Sequence, residues 1–202
     1  MPSYGLLGPT DPTVIERTLL EVARVFKCDP PFRVLEIGVC EGKTARGIKE
    51  FLDSYNIKFE YWGVDNQRDR SVELPFPGAN LVIGDSTTEY HRIPNDKWFR
   101  WILIDGCHCV NHAMLDFLHY SPLLSSGGFI LFHDTNPDTQ GKLDYQGHGP
   151  KDNPDMYIST RKAMELLGLS TGYLRGWSLV EDAIGKFNPN GVTGGITVFR
   201  KD

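Results

Sequence analysis

The 202-residue chain is short of several things that would direct its reading elsewhere. It has no run of 18 apolar residues, which argues against a spanning helix and against a membrane partner. It has no surplus of positive charge: 21 basic against 26 acidic residues leave a net −5. That balance speaks against a protein that grips the phosphate backbone of nucleic acids. Cysteine is scarce. Cys28, Cys40, Cys107 and Cys109 are too few and too irregular for a disulfide framework, so a reducing, cytoplasmic setting is expected. The opening Met1-Pro2-Ser3-Tyr4-Gly5 lacks the basic and apolar regions of a secretory signal. Also missing are G-x-S-x-G, H-E-x-x-H and C-x-x-C, so no hydrolase triad, zinc peptidase or dithiol motif is visible.

What is present is ordinary globular material: 40% apolar residues, 23% charged residues and 21 glycines. Length and composition predict one domain over residues 1–202, with a homo-oligomer allowed. Asp11-Pro12 reads as a cap followed by proline at the first helical position, and Ile15, Leu19, Val22 and Phe26 continue it as one apolar stripe. A strand is expected from Phe32 to Ile37, then a helix from Lys43 to about Tyr55. Further strands are expected at Phe59–Val64, Asn80–Ile83, Trp98–Ile104 and Gly128–Phe132, with a helix at His112–Tyr120. Residues 135–155 carry almost no apolar pattern and read as disordered or as a functional lid, over which Tyr145 and His148 could reach a substrate. A helical stripe over Tyr157–Leu167 and two strands, Trp177–Val180 and Gly195–Phe199, close the chain. Alternating strands and helices predict an α/β, doubly wound, mainly parallel sheet with helices on both faces.

Chemistry enters at the strand ends. Glu36, Asp65, Asp85, Asp105 and Asp134 each stand where an expected strand stops. Ligands of open parallel sheets bind beyond the carboxyl ends of the strands. Any one of these acids reads equally well as a turn former. Five in register imply a ligand rich in hydroxyls, amines or positive charge, because unpartnered buried carboxylates are costly.

The segment Glu36-Ile37-Gly38-Val39-Cys40-Glu41-Gly42-Lys43-Thr44 is the most specific. Gly38 permits a tight turn after the strand, and Gly42 lets a ligand approach the backbone. The dinucleotide fingerprint G-x-G-x-x-G is broken at Cys40, and Glu36 would repel a pyrophosphate. The Walker spacing is one residue short. A nucleoside without phosphates suits the turn better.

With Asp65 after the second strand and Asp85 after the third, this segment resembles the class I S-adenosylmethionine-dependent methyltransferases over about residues 32–136. The resemblance implies a seven-stranded sheet in the order 3-2-1-4-5-7-6, with an antiparallel C-terminal hairpin. It places Glu36, Gly38 and Gly42, with Cys40 in the same turn, along the methionine part of S-adenosylmethionine. It gives Asp65 the ribose hydroxyls and sets Asp85 and Ser86 near the adenine. Ile104-Asp105-Gly106-Cys107-His108 and Gly127-Gly128 through Phe132-His133-Asp134 are similar to small bacterial relatives of catechol O-methyltransferase. That likeness implies a divalent metal, magnesium or another, held by Asp105, Asp134 and either His133 or Asn136. It makes Asp105 a neighbour of both metal and cofactor.

His108 stands where those enzymes place a lysine base, and reads as a catalytic base with Asp105, or as a helix cap. His91, His112 and His119 read as surface or packing residues. Cys107-His108-Cys109 with His112 has zinc-ligating residue types but lacks paired C-x-x-C halves, so buried thiols are the expectation. The function expected is O-methyl transfer to a small hydroxylated molecule. The alternatives are a non-catalytic nucleoside-binding module of the same fold, or a metal-dependent hydroxylase-like relative.

Overall fold

The computed structural model describes residues 11–26, 32–66, 75–95, 98–141, 157–184 and 194–202. Tyr145, His148 and Cys28 lie outside these residues, as does most of the segment expected to be a lid. Its described start, Pro137–Thr139, forms one 3-10 turn.

Seven strands make one sheet. They are β1 (Phe32–Ile37), β2 (Phe59–Asp65), β3 (Asn80–Ile83), β4 (Phe99–Ile104), β5 (Leu124–His133), β6 (Trp177–Ala183) and β7 (Ile196–Lys201). Their order is β3-β2-β1-β4-β5-β7-β6, with the first five parallel and β7 antiparallel to both β5 and β6. Among the described residues, five α-helices accompany them: α1 (Asp11–Val25), α2 (Lys43–Ser54), α3 (Ser86–Glu89), α4 (Val110–Tyr120) and α5 (Thr160–Leu166). No helix among the described residues is long and apolar enough to cross a membrane.

The uninterrupted apolar strands of the sequence have a simple cause: each central strand is buried on both faces, so it cannot alternate with polar residues. Along β4, Trp101 and Leu103 pack with Ile15, Leu19 and Val22 of α1 and Ile48 and Leu52 of α2. Their neighbours Ile102 and Ile104 point the other way, toward Phe117 and Tyr120 of α4 and Met164 of α5. Each such side chain contributes about 1.5–3 kcal/mol by leaving water. A hydrogen bond helps seat α1, for Trp101 Nε1 donates to Thr18 Oγ1 at 2.9 Å.

The differences from the expected elements are local and have physical reasons. Strand β5 begins at Leu124, four residues before the expected Gly128, because the two glycines mark an irregularity inside the strand instead of its start. Phe99 pairs with Leu124, the register then shifts, and Trp101 pairs with Phe129. Gly127 takes φ +78°, and a Cβ on Gly128 would come within 2.9 Å of two carbonyl oxygens. Glycine inside a strand commonly marks such a place. Helix α4 starts two residues earlier than His112, which puts Cys109 at its N-cap position. The short α3 has no apolar stripe and was not legible; Asp85 caps it, accepting from the Thr87 amide at 2.9 Å.

Candidate active site at the carboxyl edge of the sheet

Because β1 to β5 run parallel, the positions that follow them share one edge. Glu36 is the last residue but one of β1, Asp65 ends β2, Asp85 follows β3, Asp105 follows β4, and Asp134 follows β5. The ladders continue one step past the strands and fix these turns. Gly38 donates to the Val64 carbonyl, Gly84 to that of Asp65 and Asp105 to that of Ile37.

The turn between β1 and α2 is made of left-handed residues: Gly38 at φ +88°, Cys40 at +51° and Gly42 at +68°. Cys40 therefore holds the conformation that a middle glycine would adopt freely, at a cost of about 1–2 kcal/mol for a residue with a Cβ. A charged partner holds it there, for the Cys40 amide donates to Asp65 Oδ2 at 2.7 Å. Gly38 is pressed against the β4 turn so closely that a Cβ would lie 2.0 Å from the Asp105 carbonyl oxygen.

Glu36 is 1% exposed. It shares its face of the sheet with Tyr61 of the neighbouring strand, whose hydroxyl donates to its carboxylate. Burial pushes the Glu36 carboxyl from 4.5 up to about 8, against the lowering effect of that hydrogen bond. Asp116, buried on α4, is likewise pushed by burial from 3.8 to about 7. Both groups keep a proton in the fold that the unfolded chain would release, so the native state binds more protons over this interval. Stability should therefore fall as pH rises from about 4.5 to about 8 and level off above it. Glu36→Gln is expected to flatten this loss, by up to about 1.4 kcal/mol for each unit of the raised value. Urea midpoints at pH 5 and pH 8.5 would measure it, and an unchanged pH slope would refute the assignment.

Four side chains close on one another beyond β4 and β5. His108 Nε2 lies 2.9 Å from Asp134 Oδ2 and 3.5 Å from Asp105 Oδ1. His133 Nδ1 lies 2.8 Å from Asp105 Oδ1 and 3.3 Å from Asp134 Oδ2. Burial opposes the charge on both carboxylates, yet the imidazoles facing them prevail: Asp105 is lowered, and Asp134 lies well below the usual carboxylate range. Asp134 sits at φ +52°, the left-handed region that Asp tolerates better than most residues. Gly194 backs the cluster; a Cβ there would come within 2.4 Å of the His133 ring and 2.7 Å of Asp134 Oδ1. Asn136 is fully buried, and its Oδ1 accepts from the Asp138 amide at 2.9 Å, capping the 3-10 turn.

Three ligand-type atoms of Asp105, His108 and Asp134 fall within 4.8 Å of one another, the spacing a cation could bridge. Two carboxylates among imidazoles would suit manganese, iron or zinc better than magnesium alone. The donor set is thus compatible with a divalent ion.

Other residues of this edge have roles that sequence reasoning missed. The Tyr120 hydroxyl donates to the Ser86 carbonyl at 2.8 Å, pinning the turn after β3. Tyr61 and Asp116 carried no motif, since a lone polar group in an apolar run gives no local signal. His112, read as a surface or packing residue and as a zinc-ligating type beside the cysteines, sits with Nδ1 3.0 Å from Cys109 Sγ and Nε2 3.9 Å from Asp85. His119 stacks on Tyr90 with ring centroids 3.9 Å apart, the packing part expected of it.

Known proteins with this architecture share its fold at low sequence identity. Cofactor-bound Rv0187 from MTB superposes with a TM-score of 0.65 at 14% identity, covering 96% of this chain and 81% of that one. The O-methyltransferase from Bacillus cereus in complex with SAH gives 0.62 at 16% identity, covering 99% and 84%. The MycE methyltransferase from the mycinamycin pathway, in complex with Mg, SAH and mycinamycin VI, gives 0.51 at 16%, covering 98% of this chain and 56% of that one. No curated protein sequence matches the chain. The family model described as a methyltransferase domain matches residues 35–135, the stretch from β1 through the turn after β5. Half of the chain thus carries the family's pattern on the family's fold, and the protein belongs to that methyltransferase-domain family.

Proposed function

We propose that this protein transfers a methyl group from S-adenosylmethionine to a hydroxyl oxygen of a small molecule, with a divalent cation at Asp105, His133 and Asp134 and His108 as the base beside it. The observation that carries the reading is the convergence of Asp105, His108, His133 and Asp134 next to the Gly38–Gly42 turn. Structures of the same fold hold SAH, and one holds Mg as well.

The residues present fit such a cofactor. The left-handed turn from Gly38 to Gly42 has no Cβ at its two tightest positions, and Asp65 braces it from β2. Asp65 would receive the ribose hydroxyls, Asp85 and Ser86 would border the base, and Glu36, Gly38, Cys40 and Gly42 would flank the methionine part. When bound, the cation would polarise a substrate hydroxyl and lower its pKa, and the sulfonium would supply an activated methyl group. With the cation on the two carboxylates and His133, His108 would be left to take up the hydroxyl proton, and Asp134 and Asp105 beside it would stabilise the imidazolium formed. His133 would help to hold the two carboxylates in place. Positioning then supplies most of the rate, as it does when the electrophile is already reactive.

Calorimetry with S-adenosylhomocysteine should show binding to the full chain, and the absence of heat at millimolar ligand would reject the reading. Asp65→Ala should weaken that binding by about 1–3 kcal/mol, since a charged acceptor and the brace on Cys40 are lost together. The imidazole donors favour one second reading, an iron-dependent hydroxylase-like reaction, because two histidines with a carboxylate suit iron(II). Consumption of oxygen with iron, and none of the methyl donor, would select it.

A further inference from the structure

A second group of metal-type ligands lies beside the first and plays no part in methyl transfer. Cys107 Sγ is 3.3 Å from Cys109 Sγ, and Cys109 Sγ is 3.0 Å from His112 Nδ1. The three atoms fall within 4.8 Å of one another. They come from the loop after β4 and the first turn of α4, so the spacing C-x-C-x-x-H is closed by the bend of the chain into the helix.

From this geometry we infer that Cys107, Cys109 and His112 form a binding site for a soft divalent cation of the zinc class, distinct from the carboxylate-rich centre at Asp105 and Asp134. The arrangement of His112 supports it. Its Nδ1 faces the sulfurs while its Nε2 lies 3.9 Å from Asp85 Oδ2, across the gap between α4 and the turn after β3. Zinc-binding imidazoles use their two nitrogens in this divided way, one toward the metal and the other toward a carboxylate that orients the ring.

The distances are within reach of tetrahedral coordination. Zinc–sulfur bonds of ~2.3 Å and zinc–nitrogen bonds of ~2.0–2.1 Å require ligand-to-ligand separations of about 3.5–3.8 Å. The cluster would open by about half an ångström around an ion, a movement open to a loop and a helix end. Two sulfurs and one nitrogen leave a fourth position for water or an external ligand, as in three-ligand zinc sites. Softness separates the two centres: thiolates select zinc, cadmium or cobalt over magnesium, and carboxylates with water do the reverse. Nothing in this requires the cofactor, so the site stands or falls independently of methyl transfer.

Cobalt(II) titrated into the full chain, with its thiols kept reduced by a phosphine, is the test. One equivalent should produce a thiolate-to-cobalt absorption band, and zinc should displace it while magnesium should not. The Cys107→Ala/Cys109→Ala variant should lose the band completely, whereas Cys40→Ser and Asp134→Asn should keep it. Asp85→Asn, which preserves the helix cap, should weaken cobalt binding by about 10–100-fold. Circular dichroism of every variant checks that the fold is kept, and His112→Gln, which removes one of the three ligands, should weaken cobalt binding and tests the site if the double variant unfolds. Absence of a thiolate band in the reduced protein, or a band that survives in a folded variant lacking both cysteines, would overturn the inference.

Discussion

Asp134→Ala is expected to lower the unfolding free energy by about 3–5 kcal/mol and to abolish methyl transfer, a loss of at least about 100-fold. Three effects act together. The side chain is buried, 4% exposed, between His108 and His133, so its removal leaves two imidazoles with one partner fewer inside the protein. The backbone at φ +52° suits aspartate and asparagine but not alanine, which adds about 1–2 kcal/mol. A cation would also lose one of its anionic ligands. Asp134→Asn separates these contributions, because asparagine keeps the left-handed conformation and nearly the same shape while losing the charge. It should recover part of the stability and none of the activity. Urea unfolding gives the first quantity and transfer of labelled methyl groups the second. Wild-type turnover by Asp134→Asn would remove this residue from the chemistry.

Gly38→Ala should be as damaging, for a different reason. The added methyl would lie 2.0 Å from the Asp105 carbonyl oxygen and 2.7 Å from the Gly106 Cα, both backbone atoms with no rotamer to turn aside. The left-handed φ of +88° adds its own strain. Overpacking and conformation together suggest a loss of about 2–5 kcal/mol. Pushing the turns after β1 and β4 apart would also displace Asp105 from His133, now 2.8 Å away. Weakened S-adenosylhomocysteine binding in calorimetry, with a lowered melting temperature, is the expected pair of results. Gly78→Ala is the control, since a Cβ there meets nothing within 4 Å and only the positive φ opposes it. Equal losses at the two glycines would show that backbone strain, and not the contact between turns, decides the effect.

Much of this architecture could be read from the chain because its signals are local. A central parallel strand must be apolar on both faces, which makes Phe32–Ile37 and Phe99–Ile104 stand out without any knowledge of their partners. An acid at the end of a strand is also visible locally, and parallel order carries Glu36, Asp65, Asp85, Asp105 and Asp134 to one edge. Elements shaped by their neighbours were less legible. The early start of β5 depends on Leu124 pairing with Phe99 before the register shifts, and that pairing is absent from the sequence near Gly127. The four-residue α3 rests on the Asp85 cap and on Tyr120, thirty-four positions away, which holds the Ser86 carbonyl.

By itself, then, the order of residues determined an alternating sheet with helices on both sides, a glycine turn that breaks the dinucleotide fingerprint at Cys40, and a row of acids awaiting partners. Which partner each acid found was decided only by folding. Glu36 turned inward to Tyr61, Asp65 took the amide of Cys40, Asp85 capped a helix, and Asp105 and Asp134 met two imidazoles. The reason is physical. Strand periodicity is repeated every few residues and survives in any short window. The fate of a buried charge depends on the nearest dipole or counter-charge, and in this protein those groups lie on other strands and helices.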